Sequence, residues 1–104
     1  MKKMQRGERA EMLIDGAIRV IAKNGWDNLT RELVATECGV ATGTVSFAFG
    51  TMEKLRDALI THAIERHTES DTMLHIIGKG LASGNEIARN APADVKQAAL
   101  NQLM

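Results

Sequence analysis

An all-α chain is predicted: a tri-helical helix-turn-helix unit, then a longer helix and a short helical C-terminal region. Three observations predict it. Apolar residues return at spacings of three and four, glycines divide those segments at short intervals, and Ala, Leu, Ile, Val and Met must fill the core because the chain has one Trp, two Phe and no Tyr. Such a mixture suits helices better than strands. At 104 residues the chain supports one domain, whose core is adequate for folding but thin beside that of an ordinary enzyme.

The first segment, RAEMLIDGAIRVIAKNG, places Leu13, Ile14, Ala17, Ile18 and Ile21 on one helix face and mostly charged residues on the other. Gly16 costs about 1 kcal/mol of helix propensity and permits a close crossing by another helix. Asn24 and Gly25 stop the helix, and Trp26 covers the core from the following connection. In NLTRELVATECGV, Thr30 is the N-cap, with Leu33, Val34 and Cys38 as the buried face. The single Cys38 cannot form an internal disulfide and is read as a packing residue.

Gly39 and Val40 form a turn, after which Ala41 or Thr42 caps a second short helix with Val45, Ala48 and Phe49 pointing inward. Thr42, Thr44, Ser46 and Phe47 are left on its other faces. Two short helices about a glycine turn, braced by a longer helix, fit a DNA-reading pair; small helical proteins also use such turns purely for packing.

After Gly50 a longer amphipathic helix, MEKLRDALITHAIERHTES, has Leu55, Leu59 and Ala63 as its stripe. In TMLHIIGKG, Gly78 and Gly80 are expected to break a short apolar helix. Ser83 and Glu86 have the spacing of a capping box, and Pro92 opens a terminal helix carrying Val95, Ala98, Ala99 and Leu103.

Net charge gives no vote for nucleic acid, since Lys plus Arg and Asp plus Glu are 13 each. The first 23 residues are nevertheless biased towards base: Lys2, Lys3, Arg6, Arg9, Arg19 and Lys23 stand against Glu8, Glu11 and Asp15. This is either a basic N-terminal arm or an ordinary solvated terminus. Neither a signal peptide nor an apolar run of membrane-spanning length is present, so the expected location is cytoplasmic, with no membrane partner. His62, His67 and His75 lack the close helical pairing of a hydrolytic zinc site, and Cys38 and Ser46 have no activating base apparent in sequence. No catalytic residue, metal site or cofactor is therefore assigned, and the chain is not read as an enzyme.

Without a gap, LIDGAIRVIAKNGWDNLTRELVATECGVATGTVSFAFGTMEKL resembles the N-terminal DNA-binding domain of the TetR family of bacterial transcriptional regulators. Leu13, Ile14, Ala17 and Ile21 match the apolar positions of its first helix, and Gly25 with Trp26 its glycine-aromatic pair. Thr30 matches the threonine opening the second helix, Val34 and Ala35 the usual Ile-Ala, and Gly39 and Val40 the Gly-Val of the turn. Gly43, Thr44 and Val45 match the Gly-Thr-Leu of the recognition helix, Phe49 its buried phenylalanine, and Leu55 the leucine of the fourth helix. The resemblance spans residues 10–60, and its specificity lies in the combined spacing. The chain departs from the pattern at Ser46, where a DNA-contacting tyrosine is usual, at Met52, where a lysine beside a phosphate is usual, and at Ala41, where a serine cap is usual.

The resemblance implies double-stranded DNA as partner. Thr30 and its helix would meet a phosphate, and Gly43 would lie in the recognition helix. Thr42, Thr44, Ser46 and Phe47 would face the major groove, with Phe47 against a thymine methyl or, alternatively, in core or dimer packing. Arg31 is a phosphate contact or a solvated surface residue. Lys54 and Arg56 stand where they would compensate for Met52, and Lys2, Lys3, Arg6 and Arg9 would add backbone attraction.

Residues 1–50 are thus read as arm plus DNA-binding domain and residues 51–104 as connecting helix plus a compact dimerisation region. Family members continue into a large ligand-binding domain; so short a tail is not expected to enclose a drug-sized cavity, so no small-molecule inducer is expected. Ile76, Ile77, Leu81, Val95, Ala99 and Leu103 are expected either to form a homodimer contact or to close the chain's own core. The expected function is a sequence-specific repressor reading a palindrome as a dimer, controlled by concentration, proteolysis or a regulatory protein partner. The rival reading is a small helical protein-interaction module that keeps the helix-turn-helix shape without reading DNA.

Overall fold

The computed structural model describes residues 6–103, and the side chains of residues 7–102. Every regular element among them is helical: α1 (Arg6–Asn24), a single 3-10 turn (Trp26–Asn28), α2 (Arg31–Cys38), α3 (Thr42–Phe49), α4 (Met52–Glu65), α5 (Asp71–Ala82), α6 (Glu86–Arg89) and α7 (Ala93–Leu103). The chain divides into two compact units, Met1–Leu55 and Arg56–Met104, and the division falls within α4.

In the first unit α1 packs on α2 and α3, which also pack on each other. The buried face of α1 is Leu13, Ile14, Ala17, Val20 and Ile21, a stripe that repeats after seven residues as two helical turns require. Val20 takes the place expected for Ile18, which lies on the flank and is half-buried. Gly25, at φ 87°, releases the chain into the 3-10 turn, whose Trp26 is buried together with Leu29. Thr30 caps α2 by accepting a 3.2 Å hydrogen bond from the Leu33 amide. With the helix phase set there, Val34 and Ala35 turn inward, and Leu33, about 100° earlier, turns out to 38% exposure. Leu33 is therefore not part of the buried face. Val45 is the buried residue of α3, whereas Ala48 and Phe49 reach only half burial.

Gly16 is buried, and the space its missing Cβ would fill is occupied by the Cys38 sulfur. The glycine thereby lets α2 close on α1. Cys38 also donates to the Met12 carbonyl at 3.6 Å, and burial pushes its thiol pKa above the ordinary value.

In the second unit α5 packs against both α6 and α7. Leu59, Ile60, Ala63, Met73, Ile76, Ile77, Ala88, Val95 and Ala99 are buried here. Gly78 and Gly80 do not break α5. Both are buried inside it, and a Cβ on Gly80 would stand 2.9 Å from Ile60 Cδ1 and 3.0 Å from the Ala88 Cβ. The helix stops instead at Gly84, where φ is 75°. The cap of α6 is Asn85 and not Ser83: its Oδ1 accepts from the amides of Ile87 (2.9 Å) and Ala88 (3.2 Å), while its Nδ2 donates to Asp57 at 2.7 Å. Ser83 lies two residues too early and donates to the Gly80 carbonyl.

Gly16→Ala should destabilise the protein by about 1–3 kcal/mol through overpacking against Cys38. In a Cys38→Ala background the same change should stabilise by up to about 1 kcal/mol, because only the gain in helix propensity remains. Chemical denaturation of the four proteins checks this; an equal cost in both backgrounds would separate the two residues.

Candidate nucleic-acid interface

The α2–turn–α3 segment brings a subset of the expected site residues onto one small unit. Thr30 is exposed at the start of α2, Thr42 and Gly43 are exposed in the first turn of α3, and Thr44 and Ser46 are half-buried. Phe47 is 73% exposed, which excludes it from the core of this chain. Gly43 and Phe47 stand four residues apart and share a helix face. A Cβ on Gly43 would meet nothing within 4 Å, so this glycine leaves bare backbone at the surface. The cap position of α3 is Ala41, which supplies no side-chain acceptor.

Side-chain hydrogen bonds help to hold this segment in place. Arg31, half-buried, donates through Nη2 to the Gly50 carbonyl at 3.4 Å, joining the first turn of α2 to the end of α3. Its guanidinium thus has an internal acceptor as well as the phosphate role expected from sequence. On α1, Lys23 Nζ and Arg19 Nε each donate at 3.0 Å to separate oxygens of Glu37 on α2. These two hydrogen bonds, that of Lys23 foremost, hold the Glu37 carboxyl below its ordinary value of 4.5.

Charge is sparse around α3. Lys54 is exposed in the first turn of α4, where Thr51 is the cap, its Oγ1 accepting from the Lys54 amide at 3.1 Å. Exposed Glu32 and Glu53 sit beside Arg31 and Lys54 in sequence and offset them. Arg9 is half-buried on α1. Lys2, Lys3 and the Arg6 side chain lie outside the described residues.

Of the two uses expected for the second-unit positions, the single chain shows the closing of its own core. Ile76, Ile77, Val95 and Ala99 are all buried within the single chain, where they close its own core. They leave no surface with which to meet a second copy. Leu81 is half-buried, and the Leu103 side chain lies outside the described residues. Leu100, not singled out from the sequence, is 45% exposed; its place in α7, next to buried Ala99, was the signal that could have found it. An open hollow of about 700 Å³ is lined by His67, Glu69, Asp71, Leu74, Asp94 and neighbours. Among the described residues no group of His, Cys, Asp and Glu could hold a metal ion, and no helix is long and apolar enough to cross a membrane.

Residues 13–59 match the family model TetR_N, bacterial regulatory proteins of the tetR family. They form a TetR-family N-terminal domain. The TetR-type match takes in α2, the Gly39 turn and α3 whole, and identifies a helix-turn-helix of DNA-binding transcriptional regulators. The crystal structure of the multidrug binding protein EbrR complexed with malachite green is similar at a TM-score of 0.55, with 23% identity over 91% of this chain and 69% of that one. At that identity the likeness is one of fold. No curated protein matches the chain.

The folded Glu37 carboxyl releases its proton more readily than the unfolded one. The stability contributed by the Lys23–Glu37–Arg19 clamp is therefore complete above pH 4.5 and is lost as pH falls through the lower folded value. Glu37→Gln should flatten this acid limb, by a small amount because the cations are exposed. Urea titrations across the acid range test it, and parallel pH profiles for the two proteins would refute the clamp.

Proposed function

We propose that the chain is a small repressor that binds a specific duplex site through α3. The observation that carries the reading is the outward face of α3: Thr42, Gly43 and Phe47 are exposed on a helix fixed to α1 and α2, at the position where a TetR-type domain carries its reading helix. Thr44 and Ser46 supply hydroxyls at the edge of that face, able to bond phosphate or base edges. Thr30, Arg31 and Lys54 fit phosphate contacts, and Lys2, Lys3, Arg6 and Arg9 add general attraction along the backbone. Repression needs only occupancy of the site.

A dimer on a palindrome suits so short a reading helix, since two copies double the contacts and fix the half-site spacing. Because Ile76, Ile77, Val95 and Ala99 are buried in one chain, the contact is assigned to the outer face of α7 about Leu100, with Leu81 as a second contributor. The structural relative EbrR is complexed with malachite green. Here the hollow at His67, Asp71 and Asp94 is open and bears charged groups, which favours control by abundance or a protein partner over control by a bound drug. The exposed Phe47 and Leu33 also support the rival reading, a protein-interaction module.

Selection from random duplexes with competition at physiological salt should enrich one palindromic sequence, and enrichment of none would favour the interaction module. Thr44→Ala should relax preference for the enriched site. Neutralising Lys2 and Lys3 should instead weaken all sequences evenly and lower the salt slope by about 1 unit for each phosphate that is no longer neutralised.

Leu100→Asp should shift the sedimentation of the free protein towards monomer while leaving its helix content intact. A native protein that sediments as a monomer both free and on its selected site would remove the dimer.

A further inference from the structure

Taking duplex DNA as the ligand of α3, and so resting on the function just proposed, we infer that Phe47 reads the C5-methyl group of a pyrimidine and that this methyl carries most of the sequence information. From Ala41 to Thr51 the chain has no Arg, Lys, Asn, Gln, His, Asp or Glu. It therefore has none of the paired donors and acceptors that single out guanine or adenine in the major groove. Its hydroxyls both donate and accept, so they discriminate poorly between base edges. Phe47 is the large group that α3 turns to solvent, at 73% exposure.

Helix side chains lean towards the N-terminus, so the Phe47 ring belongs to the same face of α3 as Gly43, four residues earlier. There the surface is bare backbone, with open space where a Cβ would stand. A ring beside an uncovered backbone turn accepts a base edge at short range. Against a polar edge the ring would strip water from donors and acceptors without replacing their hydrogen bonds. The one apolar group that an unmodified base pair offers in the major groove is the thymine methyl.

A protein partner is a poorer fit. Anchoring aromatics in protein interfaces are set among other large apolar groups. On this unit the other exposed large apolar side chain among the described residues is Leu33 on α2, and the exposed positions of α3 besides Phe47 are Thr42 and Gly43.

The assignment has a consequence for modified DNA. Cytosine methylated at C5 places its methyl where thymine does. The ring makes no hydrogen bond to test the adjacent O4 or N4, so a 5-methylcytosine·guanine pair should substitute for thymine·adenine at that position.

The test uses the full chain and its selected duplex, with each half-site thymine replaced singly by deoxyuridine, by cytosine and by 5-methylcytosine, and the replacement repeated in both half-sites. At one position per half-site, deoxyuridine should lower affinity about fourfold, the worth of one buried methyl, and by about sixteenfold when both half-sites are changed. Cytosine should lose at least as much, and 5-methylcytosine should recover it. Phe47→Ala should bind the thymine and deoxyuridine duplexes equally, with unchanged helix content, and Phe47→Leu should retain part of the difference. Specific binding in which every deoxyuridine replacement is neutral, or in which Phe47→Ala shows the same losses, overturns the methyl assignment and leaves DNA binding standing. Failure to enrich any duplex overturns both. Altered self-association of DNA-free Phe47→Ala with unchanged base preference would assign the ring to a protein contact and overturn the assignment as well.

Discussion

The left-handed turn at Gly39 is the constraint on which the first unit depends. At φ 69° and ψ 35° the Gly39 amide bonds to the Thr36 carbonyl at 3.2 Å and the Val40 amide to the Ala35 carbonyl at 2.9 Å, so the last carbonyls of α2 are satisfied as the chain changes direction. A Cβ at this backbone conformation would be strained. Only Val40 and Ala41 follow before α3 begins, which leaves little chain in which to correct an error of direction. The rotation of α3 is set by Val45, buried at 1% exposure. Phe47, two residues and about 200° further on, must then point out. The exposure of the ring is thus a geometric result of the turn and the buried valine together.

The same closing device ends α5, where Gly84 and Asn85 bond back to the carbonyls of Leu81 and Gly80 at 3.1 and 2.9 Å. Between such turns the chain compensates for its few aromatic residues by close packing at glycine. Gly16 under Cys38, and Gly80 against Ile60 and Ala88, let helices approach where a larger residue would hold them apart. Each glycine costs helix propensity of about 1 kcal/mol, which is offset by the dispersion attraction that the shorter separation permits.

What could be read from the sequence follows from how local its causes are. Thr30, Gly39 and Gly50 act on the residues next to them, and α2 and α3 were legible to within a residue or so from those three and from the spacing of Val34 and Val45. Gly78 and Gly80 misled for the opposite reason: a glycine that breaks a helix and one that admits a neighbour look alike until Ile60 and Ala88 are in place. Asn85 was missed although its cap is local, because Ser83 and Glu86 offered the spacing of a capping box; its further bond to Asp57, 28 residues away, is a tertiary contact. Leu33 and Leu100 needed the phase of a short helix, which one capping residue or one buried neighbour decides. Of the candidate site, the residue types on α3 were legible, whereas the exposure of Phe47 and the burial of Ile76 and Ile77 were properties of packing that apolar character alone does not reveal.

The absence of charge on α3 separates two quantities that commonly move together in DNA-binding proteins. Counterions are displaced where cations meet phosphates, and the cations proposed for that role, Arg31, Lys54 and the basic N-terminal residues, lie outside α3 in the sequence, with Glu32 and Glu53 beside the first two. A contact between an aromatic ring and a methyl group displaces no counterion. Rising ionic strength would then weaken the grip on all duplexes by nearly the same factor, and the ratio of specific to nonspecific binding would stay almost level. A regulator built this way would change its occupancy with the salt of its surroundings but not its choice of site.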